Sequence, residues 1–303
     1  MLKLGIIGVG NIARKAYLPV LSTLKDVELH VFTRSQQTLA YLREFYRFTY
    51  LHDSLEKLIN SEITAAFVHS STDSHYEIIK ELLKHDIHVY VEKPITNYYE
   101  TTKELVEMAG SKNRMLTAGF NRRFAPAYQK LKEIEQPNMI IMQKNRISSP
   151  GNIREIVFDD FIHVIDTVRL YQSKPVNEII VTGKIRDGLL YQVAAQFITE
   201  DEVGVAIMNR DSGVNEEIIE VMSSTEKGRV VNMVDLSIKK GLHDTHHSFG
   251  DWEGTLFKRG FEPMIHEVIK SMRLGASPPI QGEVVLSTHE LCEKVVRELE
   301  KIN

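Results

Sequence analysis

The 303-residue chain contains a single cysteine, Cys292, so it can form neither an internal disulfide bond nor a zinc site of several thiolates. It also lacks an apolar run approaching the ~20 residues of a membrane span. With a net charge of only −4, it lacks the strongly basic character that nucleic acids and anionic membranes attract. The N-terminal apolar run is short, is interrupted by Lys3 and leads into a glycine turn, unlike a signal peptide. The histidine-rich stretch His243–His247 has no predicted strand or helix to hold it, so we expect a solvated loop and no metal. These absences predict a cytoplasmic protein with no nucleic-acid partner and no membrane partner.

The order of the predicted elements indicates two domains, as the chain length also favours. Up to residue 120, apolar strands alternate with helical stretches, which predicts an α/β Rossmann domain with a doubly wound parallel sheet over residues 1–120. Beyond this point, five strand-like runs between residues 178 and 233 follow one another without intervening helices, and two helices close the chain. Residues 121–303 are therefore expected to form an α+β domain with a large open, mainly antiparallel sheet, one face of which needs helices or a second subunit to cover it.

A glycine turn follows the first apolar strand directly. Gly8, Gly10 and Ala13 occur in the order G-x-G-x-x-A, which is typical of a dinucleotide-binding crossover. Gly8 allows the tight turn, Gly10 lets the backbone approach a pyrophosphate, and Ala13 lets the helix pack close to the strand. The amides of Asn11 and Ile12 would point at the phosphates from a helix N-terminus. The alternative is a plain turn between strand and helix that binds no ligand.

The second strand, Val27–Phe32, ends without the acidic residue that binds the ribose hydroxyls of NAD in this kind of unit. Thr33 and Arg34 stand there instead. A hydroxyl beside a guanidinium suits the 2′-phosphate of NADP, which a carboxylate would repel. The pair therefore favours NADP over NAD, the alternative being an Arg34 side chain that is merely solvated.

Small hydroxyl residues follow the buried strand Ala65–Val68. Ser70 and Ser71 lie where open α/β sheets bind ligands, so they are candidates to line the dinucleotide. His75 comes shortly after them, and a capping or packing role for it is as good an interpretation as a ligand-binding role.

A lysine, Lys93, follows the strand His88–Val91 and precedes Pro94. Beside a positively charged nicotinamide, and partly desolvated, such a lysine would have a lowered pKa and could take part in proton transfer. A strand-end lysine in water is the alternative.

A narrow polar stripe of Asp159, His163 and Asp166 is predicted on one helix, because their spacing is i, i+4, i+7. The stripe lacks the lysines and glutamates of an ordinary solvated face. An aspartate one turn from a histidine can fix its tautomer and hold the imidazole as a general base. An ordinary solvent-exposed face remains the alternative.

Four motifs stand in this chain in the order in which they occur in one family: residues 8–13, 92–94, 119–124, and the stripe Asp159, His163 and Asp166. Together they resemble the glucose–fructose oxidoreductase, inositol dehydrogenase and MocA (Gfo/Idh/MocA) family over essentially the whole chain. Residues 67–72, 119–126 and 159–167 resemble more narrowly the branch of that family called virulence factor MviM. The resemblance implies NADP or NAD as the hydride carrier and a sugar, polyol or cyclitol as substrate. It also implies a C-terminal domain that binds substrate and commonly mediates oligomerisation, so we expect a homodimer or homotetramer formed through its sheet.

The resemblance also implies roles for individual residues. Lys93, Asp159 and His163 match the catalytic residues, and the bond between Lys93 and Pro94 is often cis in the family. Glu92 belongs to the same E-K-P motif and is expected at the cofactor. Arg122 matches a residue near the nicotinamide and the substrate.

This chain departs from the family pattern beside the catalytic histidine. Phe161 stands where many members have glycine, and Asp160 is an additional acid. We expect Asp160, together with Lys93, Arg122 and His163, to contact the substrate. The expected activity is an NADP-preferring dehydrogenase or reductase. The alternatives are an NAD-dependent glycosidase that uses transient oxidation and a nucleotide-sensing regulator without catalysis.

Overall fold

The computed structural model describes residues 1–302 and begins with a six-stranded parallel sheet. Its strands, in chain order, are β1 (Leu2–Ile7), β2 (Val27–Phe32), β3 (Tyr50–His52), β4 (Ala65–Val68), β5 (His88–Val91) and β6 (Leu116–Ala118). Their order across the sheet is β3-β2-β1-β4-β5-β6, which is that of a Rossmann fold. The order reverses between β1 and β4, so the carboxyl ends of these two strands form the edge at which such sheets bind ligands.

Helices connect these parallel strands. They are the π-helical turn Ala13–Tyr17 with α1 (Leu18–Leu21), α2 (Gln36–Tyr41) with the π-helical turn Leu42–Tyr46, α3 (Leu55–Ile59), α4 (Thr72–Lys84) and α5 (Tyr99–Ser111). Leu4, Ile6 and Ile7 of β1 are almost completely buried, as expected for a central parallel strand whose two faces are both covered. Pro19 has no N–H to donate, and the helix changes from π to α geometry just before it, at Leu18.

A nine-stranded sheet dominates the second part of the chain. Its strands are β7 (Met139–Ile147), β8 (Gly151–Asn152), β9 (Glu178–Arg186), β10 (Leu189–Ile198), β11 (Val203–Ser212), β12 (Glu216–Met222), β13 (Lys227–Val231), β14 (Asp235–Lys240) and β15 (His243–His247). The order is β15-β14-β13-β12-β7-β11-β10-β8, and β9 also pairs with β10. Among the strand pairs of this second sheet in residues 1–302, only β7 and β11 run parallel. The predicted mainly antiparallel sheet is confirmed.

The helical segments between residues 121 and 258 are the 3₁₀ turn Asn121–Phe124, α6 (Pro126–Leu131), α7 (Ile153–Ile156), the π-helical turn Val157–Phe161, α8 (Ile162–Tyr171) and α9 (Thr255–Lys258). Of these, α6 contacts β13, and α7 contacts β8 and β10. Helix α8 packs on β7 and β11, and its side chains Ile162, Val164, Ile165 and Val168 are fully buried.

The contacts divide the chain into two units near residue 120, with one segment placed differently from the prediction. The first unit comprises Met1–Gly119 and Glu262–Ser287, whereas the prediction assigned everything after residue 120 to the second domain. The segment contains most of α10 (Phe261–Leu274) and the start of α11 (Gly282–Ile302). Thr117 on β6 donates a hydrogen bond to the carbonyl of Ile280 over 2.9 Å. Hydrophobic periodicity predicts a helix and its buried face, but it does not identify the sheet on which that face packs.

The histidine-rich stretch is a strand, which corrects the expectation of a loop. β15 pairs antiparallel with β14 through a tight hairpin at Gly241. The pairing uses backbone groups, while the side chains of the strand stay exposed, so hydropathy gives no signal for it. Among residues 1–302, no group of three or more His, Cys, Asp or Glu side chains is placed to hold a metal ion. Within the same range, no helix combines the length and apolar character needed to cross a membrane.

The two glycines of the N-terminal turn should respond differently to substitution by alanine. Gly8 has a φ of +85°, and a Cβ there would lie 2.7 Å from the backbone nitrogen of Ser70, whereas a Cβ on Gly10 would meet no atom within 4 Å. We expect Gly8→Ala to lower the free energy of unfolding by about 1–3 kcal/mol or more. Gly10→Ala, the matched control, should stay within about 0.5 kcal/mol of the wild type. Urea unfolding of both variants tests this, and equal losses of stability would contradict it.

Candidate active site

The glycine turn lies at the carboxyl end of β1, where the strand order reverses. A helix starts immediately after Gly10, and its first amides have no acceptor within the helix. Asn11 and Ile12, which carry these amides, are exposed. Because a Cβ on Gly10 would meet no protein atom within 4 Å, the fold itself does not require glycine there. The space above Gly10 is open to a ligand.

The end of β2 leaves an arginine available. Thr33 accepts a hydrogen bond from the amide of Ser35 over 3.3 Å. Arg34 is exposed, and its guanidinium has no hydrogen-bond or ion-pair partner in the described part of the chain. Its charge is therefore not compensated by the protein itself.

A second arginine, which no sequence motif indicated, lies near the same helix start. Arg14 donates to Thr38 Oγ1 over 3.2 Å, and its guanidinium lies 5.1 Å from the ring centre of Tyr41. Thr38 in turn donates its amide to Ser35 Oγ over 3.2 Å. The position of Arg14, four residues after Gly10, was visible in the sequence, but the direction of its side chain depends on the packing of two helices.

The loop after β4 is held by its own side chains. Ser74 donates hydrogen bonds to Ser70 Oγ over 2.8 Å and to the carbonyl of Ser71 over 2.7 Å. The ring nitrogens of His75 lie 3.0 Å from the carbonyl oxygens of Ser70 and Pro94. Burial lowers the pKa of His75, and the ring is only 1% exposed. We therefore assign His75 to positioning these two loops through their backbone.

The E-K-P segment follows β5, and its peptide bond between Lys93 and Pro94 is cis, as the resemblance implied. Glu92 accepts a hydrogen bond from the hydroxyl of Tyr17, which also bonds to the hydroxyl of Tyr90 over 2.5 Å. Burial raises the pKa of both tyrosines well above the ordinary value, so they remain protonated. The hydroxyl of Tyr17, itself bonded to Tyr90, thus orients the Glu92 carboxylate. Lys93, the next residue after Glu92, is half-buried.

His69, at the end of β4, is buried without a hydrogen bond. Among residues 1–302, neither of its ring nitrogens has a partner. The ring centres of His69 and Tyr17 are 4.0 Å apart. Burial lowers the pKa of His69 to about 3, so the ring stays neutral at physiological pH.

In the second unit, the predicted polar stripe does not share one environment. Asp159 is exposed, His163 is half-buried and Asp166 is only 1% exposed. Asp159 lies in a π-helical turn, Val157–Phe161, whereas His163 and Asp166 lie on α8, so the three residues belong to two helical geometries. Phe161 is completely buried and belongs to the core.

Asp166 is paired within the protein. Arg123 donates to its two carboxylate oxygens over 2.9 Å each, and Thr288 Oγ1 donates to it over 3.1 Å. Such a bidentate, buried pair holds its two elements in register.

Asp160, expected at the substrate, is held by three cations. Lys144 contacts one carboxylate oxygen, while Arg146 Nε and Arg210 Nη1 lie 3.2 Å and 2.6 Å from the other. Burial opposes ionisation, but the charges of Lys144 and Arg146 outweigh it and hold the pKa of Asp160 well below its usual range. The carboxylate is therefore occupied by protein partners.

Arg122, expected at the cofactor and the substrate, pairs with Glu217. Its Nε and Nη2 donate to the two carboxylate oxygens over 2.8 Å and 2.6 Å, and the hydroxyl of Tyr128 adds a third bond over 2.8 Å. Burial opposes ionisation of Glu217, but the positive charge of Arg122 and the hydrogen bonds that Glu217 accepts together outweigh this effect and lower the pKa of Glu217 to about 2. Arg122 itself is 4% exposed.

The charged end of this sheet was not predicted from the sequence, although the sequence carries a signal for it. Along β7 the alternate positions Ile140, Met142 and Lys144 are all buried, so a lysine continues an apolar face. Glu217 lies directly opposite Lys144 in the pairing of β12 with β7. Burial and the charge of Arg122 lower the pKa of Lys144 to about 7. A charged residue in the alternating apolar pattern of a strand is therefore the sequence signal for such a cluster.

Known proteins share both units of this chain. Residues 2–120 match the oxidoreductase family with an NAD-binding Rossmann fold, and residues 126–241 match the YceM-like C-terminal domain. The Salmonella typhimurium protein YceM, which is named as an oxidoreductase, is 30% identical over 304 residues and 98% of each chain. The chain belongs to the Gfo/Idh/MocA family of oxidoreductases.

Two further members illustrate the range of this Gfo/Idh/MocA family. The crystal structure of the Clostridium difficile dehydrogenase MviM is 34% identical, with a TM-score of 0.93 over 98% of this chain and 99% of that chain. Myo-inositol 2-dehydrogenase of Thermotoga maritima is 26% identical over 197 residues, covering 61% of this chain and 59% of its own.

As a Gfo/Idh/MocA oxidoreductase, the protein uses NAD(P). The residues at the end of β1 fit this cofactor. The open space above Gly10 and the exposed amides of Asn11 and Ile12 suit a pyrophosphate at a helix N-terminus. The serines after β4 lie on the same edge of the sheet, next to this turn.

Replacing His69 by phenylalanine should flatten the dependence of stability on acid pH. The folded pKa of about 3 lies below the ordinary 6.5, so below pH 6.5 the unfolded chain binds a proton that the folded chain excludes. Stability is therefore lost as the pH falls from about 6.5 towards 3, by up to about 1.4 kcal/mol per unit for this group. The groups that face the ring, Tyr17, Tyr90 and His75, are unchanged in the variant.

The measurement is urea unfolding of the wild type and His69→Phe at intervals between pH 4 and pH 7. The difference between the two stabilities should grow towards low pH. His266→Phe, on an exposed position of α10, is the control and should follow the wild type. Parallel curves for His69→Phe and the wild type would show that His69 does not remain neutral in the fold.

Proposed function

We propose that this enzyme transfers a hydride between NADP, in preference to NAD, and the hydroxyl-bearing carbon of a sugar, polyol or cyclitol. One observation carries the catalytic assignment. In the helical segment 157–171, Asp159 is exposed, and His163, which follows it by four residues, is half-buried. The inositol dehydrogenase among the relatives supports a polyhydroxylated substrate.

The proposed chemistry is a proton transfer coupled to the redox step. The nicotinamide ring, when bound, supplies the hydride acceptor for oxidation and the hydride donor for reduction. His163 takes the proton from the substrate hydroxyl oxygen as general base, and returns it in the reverse direction. Asp159 orients the imidazole and favours its charged form. Lys93 supports this proton transfer and positions the substrate oxygen.

The proposed cofactor preference depends on Arg34. Its exposed guanidinium has no partner among residues 1–302, and no carboxylate stands at the end of β2 to bind ribose hydroxyls. Thr33 supplies a hydroxyl beside it. Arg14, on the helix after the glycine turn, contributes a second positive charge near the start of α2. This charge distribution suits a 2′-phosphate.

His163→Ala should lower turnover by roughly 10²- to 10⁴-fold, the loss typical of a positioned general base. The affinity for NADPH should stay nearly unchanged, since His163 is proposed to act on the substrate. Turnover is measured by NADPH absorbance in a screen of sugars and polyols, and affinity by NADPH fluorescence. His246→Ala, on the exposed strand β15, is the control. An equal loss of turnover and of cofactor affinity would remove His163 from the catalytic step.

Arg34→Ala should weaken NADPH binding by about 10- to 100-fold, because a charge-assisted contact to phosphate is lost. Binding of NADH, which lacks the 2′-phosphate, should not change and serves as the internal control. Parallel fluorescence titrations of wild type and variant with both nucleotides measure this. If the wild type prefers NADH, or if the variant loses both nucleotides equally, Arg34 does not bind a phosphate.

A further inference from the structure

A pocket of about 200 Å³ opens at the charged end of the nine-stranded sheet. Side chains from separate segments of the second unit line it. Arg146 comes from the end of β7, Asn215 and Glu216 from the start of β12, Asn232 from the turn between β13 and β14, and Arg259 from the end of α9. None of these residues was singled out by the motifs in the sequence.

Two asparagines present donors to this pocket. Asn215 Oδ1 accepts a hydrogen bond from the backbone amide of Ile147 over 3.1 Å. Asn232 Oδ1 accepts one from the backbone amide of Glu217 over 3.0 Å. Because the oxygen of each side chain is used by the backbone, each NH₂ group is left as a donor. Within residues 1–302, neither NH₂ group has a protein partner. The backbone contacts thus fix which end of each amide is available.

Two arginines, Arg146 and Arg259, and two glutamates, Glu216 and Glu217, line the pocket, and the partners of these groups decide which charges remain for a ligand. Arg146 shares the Asp160 carboxylate with two other cations, and both oxygens of Glu217 are occupied by Arg122. The guanidinium of Arg259 has no hydrogen-bond or ion-pair partner in the described part of the chain. Burial, and after it the charge of Arg122, lowers the pKa of Arg259, while the carboxylate of Glu217 acts in the opposite direction. A bound anion would relieve the repulsion between Arg122 and Arg259.

We propose that this pocket binds the oxyanion of an acidic sugar, a carboxylate or a phosphate, and thereby selects the substrate. Arg146 and Arg259 pair with the charge, since guanidinium groups suit planar and tetrahedral oxyanions. Glu216, at the same pocket, accepts a hydrogen bond from a sugar hydroxyl. Arg146 links the pocket to the proposed catalytic segment, because its Nε lies 3.2 Å from the carboxylate of Asp160, the residue after Asp159. The inference rests on the proposed function in that the bound molecule is the substrate.

The test is calorimetric titration of the full-length protein, without cofactor, with glucuronate, glucose 6-phosphate and glucose. At least one acidic sugar should bind ten or more times tighter than glucose, by about the strength of one charge-assisted contact. Comparison of the two acidic sugars distinguishes a carboxylate from a phosphate. Arg259→Gln should weaken this binding by about 10- to 100-fold. Arg229→Gln, an exposed arginine on β13 away from the pocket, is the matched control and should bind as the wild type does.

Arg259→Lys provides a second variant that keeps the charge, and it should recover part of the affinity lost in Arg259→Gln. The proposal is overturned if neither acidic sugar binds, if glucose binds equally well, or if Arg259→Gln binds like the wild type. Binding is measured without turnover, so the two hypotheses fail separately. Acid binding without NADP-linked turnover supports the pocket and removes the proposed redox activity. Turnover of neutral polyols without binding of an acidic sugar supports the proposed redox activity and overturns the proposed role of the pocket.

Discussion

A buried ion pair between Arg122 and Glu217 is the constraint on which the second unit depends. A buried carboxylate or guanidinium without a partner destabilises the folded state, and removing one member of such a pair typically lowers the free energy of unfolding by about 3–5 kcal/mol. The two side chains meet through both carboxylate oxygens, and Tyr128 adds a third bond. Asn232 accepts a hydrogen bond from the backbone amide of Glu217. The pair therefore ties the 3₁₀ turn Asn121–Phe124 and the β13–β14 turn to β12.

The same requirement sorts the polar residues of this unit by role. Asp160 and Asp166 are each neutralised by cations of neighbouring elements, which commits them to holding strands and helices together. Asp159, beside them in the chain, is exposed. Arg146, one of the cations around Asp160, also lines the pocket that contains Arg259. Structural ion pairing and ligand recognition are therefore linked.

Features encoded over a few neighbouring residues were predictable. Hydrophobic strands, the glycine turn and the alternation of strands and helices follow from local patterns, and the parallel sheet, the mainly antiparallel sheet and the family were confirmed. Features that depend on distant partners were not predictable. The segment Glu262–Ser287 joins the first unit, and β15 forms through backbone pairing that leaves no apolar pattern. Arg122 and Asp160, expected at ligands, meet charged partners within the protein.

The sequence by itself determined the cofactor class and the parallel sheet of the first unit, since a glycine turn after a buried strand depends on local backbone geometry and side-chain size. Only the tertiary structure decided which of the charged residues are available for chemistry. The partner of Asp160 or Glu217 lies on another element of the fold, and strand register sets whether the two charges meet. Burial makes each such meeting obligatory, because a charge removed from water needs a counter-charge within hydrogen-bond distance.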